Sequence, residues 1–193
     1  MAAMRVALFG GSFNPPHLGH QLLALTVLET CAVDQLWMIP CFRHRFDKAL
    51  APFPDRMEMC RRAMEALGAR AQVSDIEGQL GGESRTLVTV SSLRAAHPGV
   101  EFQLVIGADL EAEVDSWYGA AELRRSISFI VVGRGGVPRS GQENDPSLGP
   151  QMPAVSSTDV RARLARSEPV NALVPRLVLD YIRERKLYGP STT

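Results

Sequence analysis

The apolar run Val6-Ala7-Leu8-Phe9 passes directly into Gly10-Gly11-Ser12-Phe13-Asn14-Pro15-Pro16, and His17-Leu18-Gly19-His20 then opens leucines at helical spacing through Cys31. A strand that breaks into glycines and reopens as a helix confines the chain to a layered α/β arrangement. It also brings backbone N–H groups and the positive end of a helix dipole to one spot, where phosphate is favoured. The predicted ligand is a nucleotide. His17 and His20 stand three apart at the helix start, so both can donate to one polyphosphate, and Gly19 leaves room for its approach. No cysteine, aspartate or glutamate sits nearby at ligand spacing, so metal ligation by these histidines is set aside.

The rest of the chain alternates short apolar runs with amphipathic stretches, the pattern of βαβ units. Strands are predicted over 6–9, 36–39, 71–74, 102–106, 127–132 and 154–155. Helices are predicted over 18–31 and from Pro54, with Met57, Cys60, Met64 and Leu67 on one face. Another is capped by Ser156-Ser157-Thr158 and runs to about Arg166, and a last one opens at Pro175 with Leu177, Val178, Tyr181 and Ile182 inward. Glycine, proline and polar residues over 135–153 predict an exposed loop within one domain spanning 1–193, whose C-terminal helical part covers about 156–188. The expected fold is a Rossmann-like parallel sheet sandwiched by helices, with ligands at the carboxyl ends of the strands.

At 193 residues the chain is long enough for a substantial core, and 45% of it is hydrophobic. Acidic and basic residues balance at 21 each, which excludes a global field for nucleic acid or an anionic membrane and makes any anion site local. Cys31, Cys41 and Cys60 are odd in number and lack a C-x-x-C spacing, as free thiols of the cytoplasm do. Met1-Ala2-Ala3-Met4-Arg5 runs straight into the first strand, so no signal peptide is expected, and no apolar stretch approaches a membrane span.

Gly10-Gly11-Ser12-Phe13-Asn14-Pro15 with His17-x-Gly19-His20 resembles the first signature of the nucleotidylyltransferase superfamily, and Ser156-Ser157-Thr158-Asp159-Val160-Arg161 resembles its second. Gly107-Ala108-Asp109 and Trp117 are similar to the nicotinate mononucleotide adenylyltransferases in particular, and the resemblance runs over nearly the whole chain. It implies transfer of an adenylyl group from ATP to a pyridine mononucleotide, with Mg²⁺ carried mainly on the ATP phosphates. By resemblance, His17, His20, Lys48 and Arg161 are the catalytic set. Gly10, Gly11, Ser12, Phe13, Gly19, Gly107, Asp109, Ser156, Ser157 and Thr158 join His17, His20 and Arg161 around ATP. Asn14, Lys48, Thr86, Trp117, Tyr118 and Arg134 face the mononucleotide.

The chain departs from the family where bacterial relatives carry Pro-Pro-His-Lys or Pro-Pro-His-Arg, reading instead Pro40-Cys41-Phe42-Arg43-His44-Arg45-Phe46-Asp47-Lys48. Lys48, assisted by Arg45 or His44, can supply the cation. This departure leaves open another phosphate monoester as acceptor, in a phosphopantetheine adenylyltransferase or cytidylyltransferase, and a nucleotide sensor without turnover. Trp117 after Gly107-Ala108-Asp109 speaks against the first, and intact His17, His20 and Arg161 against the second. An aminoacyl-tRNA synthetase is disfavoured by the short chain and the lack of a basic run for tRNA.

Overall fold

The computed structural model describes residues 3–43, 50–108, 110–133, 138–139 and 154–189. Six strands, β1 (Met4–Gly11), β2 (Gln35–Pro40), β3 (Ala71–Val73), β4 (Val100–Gly107), β5 (Ser128–Val132) and β6 (Pro138–Arg139), form one sheet in the order β3-β2-β1-β4-β5-β6. The first five are parallel and β6 is antiparallel to β5. The helices are α1 (Leu18–Thr30), α2 (Phe53–Met64), α3 (Ile76–Leu80), α4 (Thr86–Ala96), α5 (Ala120–Ser126), α6 (Ser157–Ala165) and α7 (Arg176–Glu184). Among the described residues no helix is long and apolar enough to cross a membrane.

β1 is the central strand, and helices on both faces require it to be apolar on both. Val6, Ala7, Leu8 and Phe9 are all buried, and strand alternation divides them. Ala7 and Phe9 join the core formed with Ala24 and Val27 of α1, Met59 and Cys60 of α2, and Val178 and Ile182 of α7. Val6 and Leu8 join the opposite core with Leu87, Val90 and Leu93 of α4 and Leu123 of α5. Each buried Val, Leu, Ile, Met or Phe among these stabilises the fold by about 1.5–3 kcal/mol.

From β1 the chain steps outward through β2 to β3, then returns with β4 on the other flank of β1. The strand order therefore reverses between β1 and β4, the place where open α/β sheets bind ligands. The carboxyl ends that meet there are Gly11, opposite Pro40, and Gly107, opposite Val132.

The structure corrects four sequence expectations. Gly10 and Gly11 do not break the first strand; they end it, paired with Ile39 and Pro40, because a parallel ladder needs only backbone. Ala154 and Val155 form no strand, and Val155 packs as a half-buried side chain against the α1/α2/α7 core. On α7, Leu177 is exposed and Leu179 takes its expected buried place, since Val178, Leu179 and Ile182 make up the inward stripe. Pro138–Arg139, inside the expected loop, adds the antiparallel edge strand. Helices α3, α4 and α5 were not legible from periodicity.

Candidate active site

Gly11 is followed by a turn whose conformation is set from below. Phe13 is buried with φ +43°, a left-handed backbone that a side chain adopts only when its surroundings hold it. Its ring lies edge-on to Phe9 at 5.2 Å and to His20 at 5.0 Å, and it fills the space a Cβ on Gly11 would occupy, 2.9 Å from Phe13 Cζ. Gly10 is different, because a Cβ built there meets nothing within 4 Å. Its bare face opens onto the carboxyl edge of the sheet.

His17 caps α1 in an extended conformation, and its ring stacks on His20 with centroids 3.7 Å apart and 24° between planes. His20 Nδ1 accepts the backbone N–H of His17 at 3.1 Å, which leaves the His20 proton on Nε2, turned away from that bond. Burial lowers the His17 pKa from 6.5 to about 4. Burial, then the neighbouring His17, holds His20 well below the usual histidine range. Both rings are neutral at pH 7. His17 Nδ1 is buried and lacks a hydrogen-bond partner among the described residues, a cost that a bound group can relieve. Gly19 is half-buried in the first turn of α1.

The two signatures, far apart in sequence, are joined here. Ser157 Oγ donates to the Pro15 carbonyl at 2.9 Å, and Arg161 Nη1 donates to the Asn14 carbonyl at 2.8 Å. Arg161 Nη2 donates to Thr158 Oγ1 at 3.3 Å, while Ser156 caps α6 by accepting from Asp159 N at 3.1 Å. The guanidinium keeps N–H groups beyond these two bonds. Asn14 is buried, and its Oδ1 accepts from Ala51 N at 3.0 Å and from Tyr188 Oη at 2.7 Å. Asn14 thus brackets the turn. Ser12 is half-buried, and its carbonyl is held by Arg56.

On the far side of the reversal, Trp117 is half-buried at the end of the 3-10 turn Glu111–Ser116 and packs against the α4/α5 core. Tyr118 is exposed, with the Arg85 guanidinium 4.4 Å from its ring centre. Gly119, at φ +66°, starts α5 where any Cβ would strike the Leu87 side chain, so the Trp117–Tyr118 turn presses close to the start of α4, where Thr86 is the first helical residue. Lys48, Asp109 and Arg134, together with His44 and Arg45, lie outside the described residues.

Three residues were missed by sequence reasoning: Arg56, Tyr188 and Gly119. Arg56 from α2 and Tyr188 from the turn beyond α7 bind turn atoms far away in sequence, and no local pattern announces them. The Gly119 signal, a glycine directly after Trp117-Tyr118, was present. Among the described residues no group of three or more His, Cys, Asp or Glu could hold a metal ion.

Stacked neutral imidazoles, a guanidinium and two helix N-termini gather at the reversal of a parallel sheet, an arrangement of an α/β protein chemically suited to an anion. Residues 8–163 match the family described as cytidylyltransferase-like. A protein of Anaeromyxobacter dehalogenans named "Probable nicotinate-nucleotide adenylyltransferase" is 46% identical over 187 residues, covering 95% of this chain and 96% of its own. One of Myxococcus xanthus with the same name is 37% identical over 191 residues, covering 99% and 98%. A solved structure, the Plasmodium falciparum nicotinic acid mononucleotide adenylyltransferase complexed with NaAD, aligns with TM-score 0.76 at 23% identity over 96% of this chain and 97% of its own, a likeness of fold. The chain belongs to the cytidylyltransferase-like family and, within it, to the nicotinate-nucleotide adenylyltransferases. It is a nucleotidyltransferase.

Proposed function

We propose that the chain transfers the adenylyl group of ATP to nicotinate mononucleotide, giving the dinucleotide and pyrophosphate in NAD biosynthesis. The observation that carries this reading is the stacked, neutral His17–His20 pair at the sheet reversal, with His17 Nδ1 buried and unpartnered. In the reaction a phosphate oxygen of the mononucleotide forms a bond to the α-phosphorus of ATP as the bond to the bridging oxygen of pyrophosphate breaks. No protein nucleophile is required, so alignment and charge stabilisation must supply the acceleration.

His20 Nε2–H donates to the transferring phosphate, with His17 beside it on the triphosphate. Gly10, Gly11, Ser12, Phe13 and Gly19 give the backbone its close approach, and Gly107 lines the same edge. Arg161 reaches the β- or γ-phosphate with the N–H groups left over from Asn14 and Thr158, beside Ser156 and Ser157 at the start of α6. On the acceptor side Trp117 stacks on the pyridine ring, with Tyr118, Thr86 and Asn14 around it. Lys48 and Arg134 act on the acceptor phosphate and Asp109 on an ATP ribose by resemblance alone. The donor set at the described site is imidazole, guanidinium and amide, which suits Mg²⁺ held on the phosphates rather than by a protein cage. When bound, the ion neutralises triphosphate charge.

The test is pyrophosphate release from ATP and Mg²⁺ with nicotinate mononucleotide, nicotinamide mononucleotide, phosphopantetheine or no acceptor. Release that requires nicotinate mononucleotide is expected, and silence with it while ATP binds would overturn the reading. In the same assay His20→Ala should lower kcat by about 10²–10³, the scale of one lost transition-state donor, with ATP affinity kept.

A further inference from the structure

Arg56 of α2 is 1% exposed, and among the described residues every hydrogen bond from its guanidinium goes to a backbone carbonyl. Nε donates to Ala51 at 3.0 Å, Nη1 to Ser12 at 3.1 Å and to Cys41 at 2.7 Å, and Nη2 to Phe42 at 3.2 Å. The ring of Phe53 lies under it at 5.4 Å. Among the described residues it makes no ion pair: the neighbouring Asp55 turns to Tyr181 of α7 and to Arg185 just after it instead. A buried cation is retained at such a cost when its planar fork does what no neutral group can.

What the fork joins are two loops from different strands. Ser12 belongs to the turn after β1 that carries the histidines, and Cys41 and Phe42 begin the loop after β2. That second loop is tied onward, because Phe42 N donates to Ser84 Oγ at 2.9 Å and Ser84 N to the Arg43 carbonyl at 3.1 Å, two residues before Thr86. A continuous set of bonds therefore runs from the ATP-side turn through Arg56 to the segment assigned to the acceptor. The Ser12–Phe13 peptide is trans, so anchoring the Ser12 carbonyl also directs the Phe13 N–H the opposite way.

We infer that Arg56 is a positioning residue for adenylyl transfer, fixing the separation of the two substrate-bearing loops so that acceptor oxygen and α-phosphorus meet in line. The inference rests on the function proposed above. Misplacement by about 1 Å can cost 10²-fold in such a step without abolishing binding. Lysine keeps the charge but offers a single nitrogen that cannot span four carbonyls.

The experiment compares wild type, Arg56→Lys and Ser84→Ala in steady-state turnover with ATP and nicotinate mononucleotide, with calorimetric titration of each substrate alone. Arg56→Lys should lose about 10²-fold in kcat while each substrate binds within about threefold of wild type. Ser84→Ala severs the same path at a half-buried site, leaves the fold intact, and should lower kcat about threefold to tenfold with both KM values held, on the same alignment argument. If Arg56→Lys does not fold, Ser84→Ala decides alone. Unchanged kcat in the folded variants, or losses confined to binding, would overturn the inference. An inactive wild type would instead remove the proposed function.

Discussion

Acidification from about pH 7.5 to about pH 5 is expected to cost the native state about 2 kcal/mol through His17 alone. His17 is 7% exposed, and burial lowers its pKa from 6.5 to about 4. Well above pH 6.5 neither folded nor unfolded chain protonates this ring, and it contributes no pH dependence. Below 6.5 the unfolded chain takes up a proton that the folded one refuses, so stability falls until about pH 4, where both forms are charged. At about pH 5 the unfolded ring is almost fully protonated and the folded one about a tenth so; at 1.36 kcal/mol per unit this gives the figure above.

Urea unfolding of wild type and His17→Gln at both pH values isolates the effect, because the distant carboxylates contribute to both chains and cancel in the double difference, and His20 keeps the larger cause of its own shift, which is burial. His17→Gln should lose about 2 kcal/mol less than wild type on acidification, on the linkage just given. A double difference under about 0.5 kcal/mol would refute the claim that His17 is buried neutral. Because both histidines are neutral in the free protein, kcat/KM should show no histidine titration between about pH 6 and pH 8. A step there beyond the phosphate ionisations of the two substrates, which also fall at about pH 6, would place an imidazolium in the site.

The two glycines that end β1 should respond oppositely to alanine. Gly11→Ala puts a Cβ 2.9 Å from Phe13 Cζ and should destabilise by about 1–3 kcal/mol in urea unfolding. Gly10→Ala meets nothing within 4 Å, so its stability should hold while KM for ATP rises; an unchanged KM would remove Gly10 from the ATP side. Tyr181→Phe strips one donor from the buried Asp55 carboxylate, which keeps Arg185, and should cost about 1–3 kcal/mol with KM unaltered for both substrates.

The parallel sheet and the turn that joins its first strand to α1 were legible in the sequence because each rests on contiguous residues: an apolar run for a strand buried on both faces, glycines and prolines before the histidines that open the helix. α4 was not. Thr86-Leu87-Val88-Thr89-Val90 is dense in β-branched residues, a strand-like local preference, and it is the burial of Leu87, Val90 and Leu93 on one side that makes it a helix. α3 is pinned to it by a hydrogen bond from Thr89 Oγ1 to the buried Glu77 carboxylate, twelve residues away. Leu177 and Leu179 differ only in helical phase, which a short segment leaves undetermined until it is docked.

The same limit explains why the resemblance located Ser157 and Arg161 without giving their full work. It implied contacts to phosphate, yet the Ser157 hydroxyl binds the Pro15 carbonyl and Arg161 binds that of Asn14, across 142 and 147 residues of chain. Arg56 holds the Ser12 carbonyl of that turn from α2, and Tyr188 holds the Asn14 side chain from beyond α7. A turn with buried Asn14 and Phe13 in a left-handed backbone would not keep its shape unaided. The second signature therefore acts on the first as scaffold, beside the phosphate contacts proposed for it, which gives a physical reason for the two to travel together in one chain. It follows that a substitution at Ser157 alters the geometry at His17 and His20 as well, so its kinetic effect is not a measure of one phosphate contact.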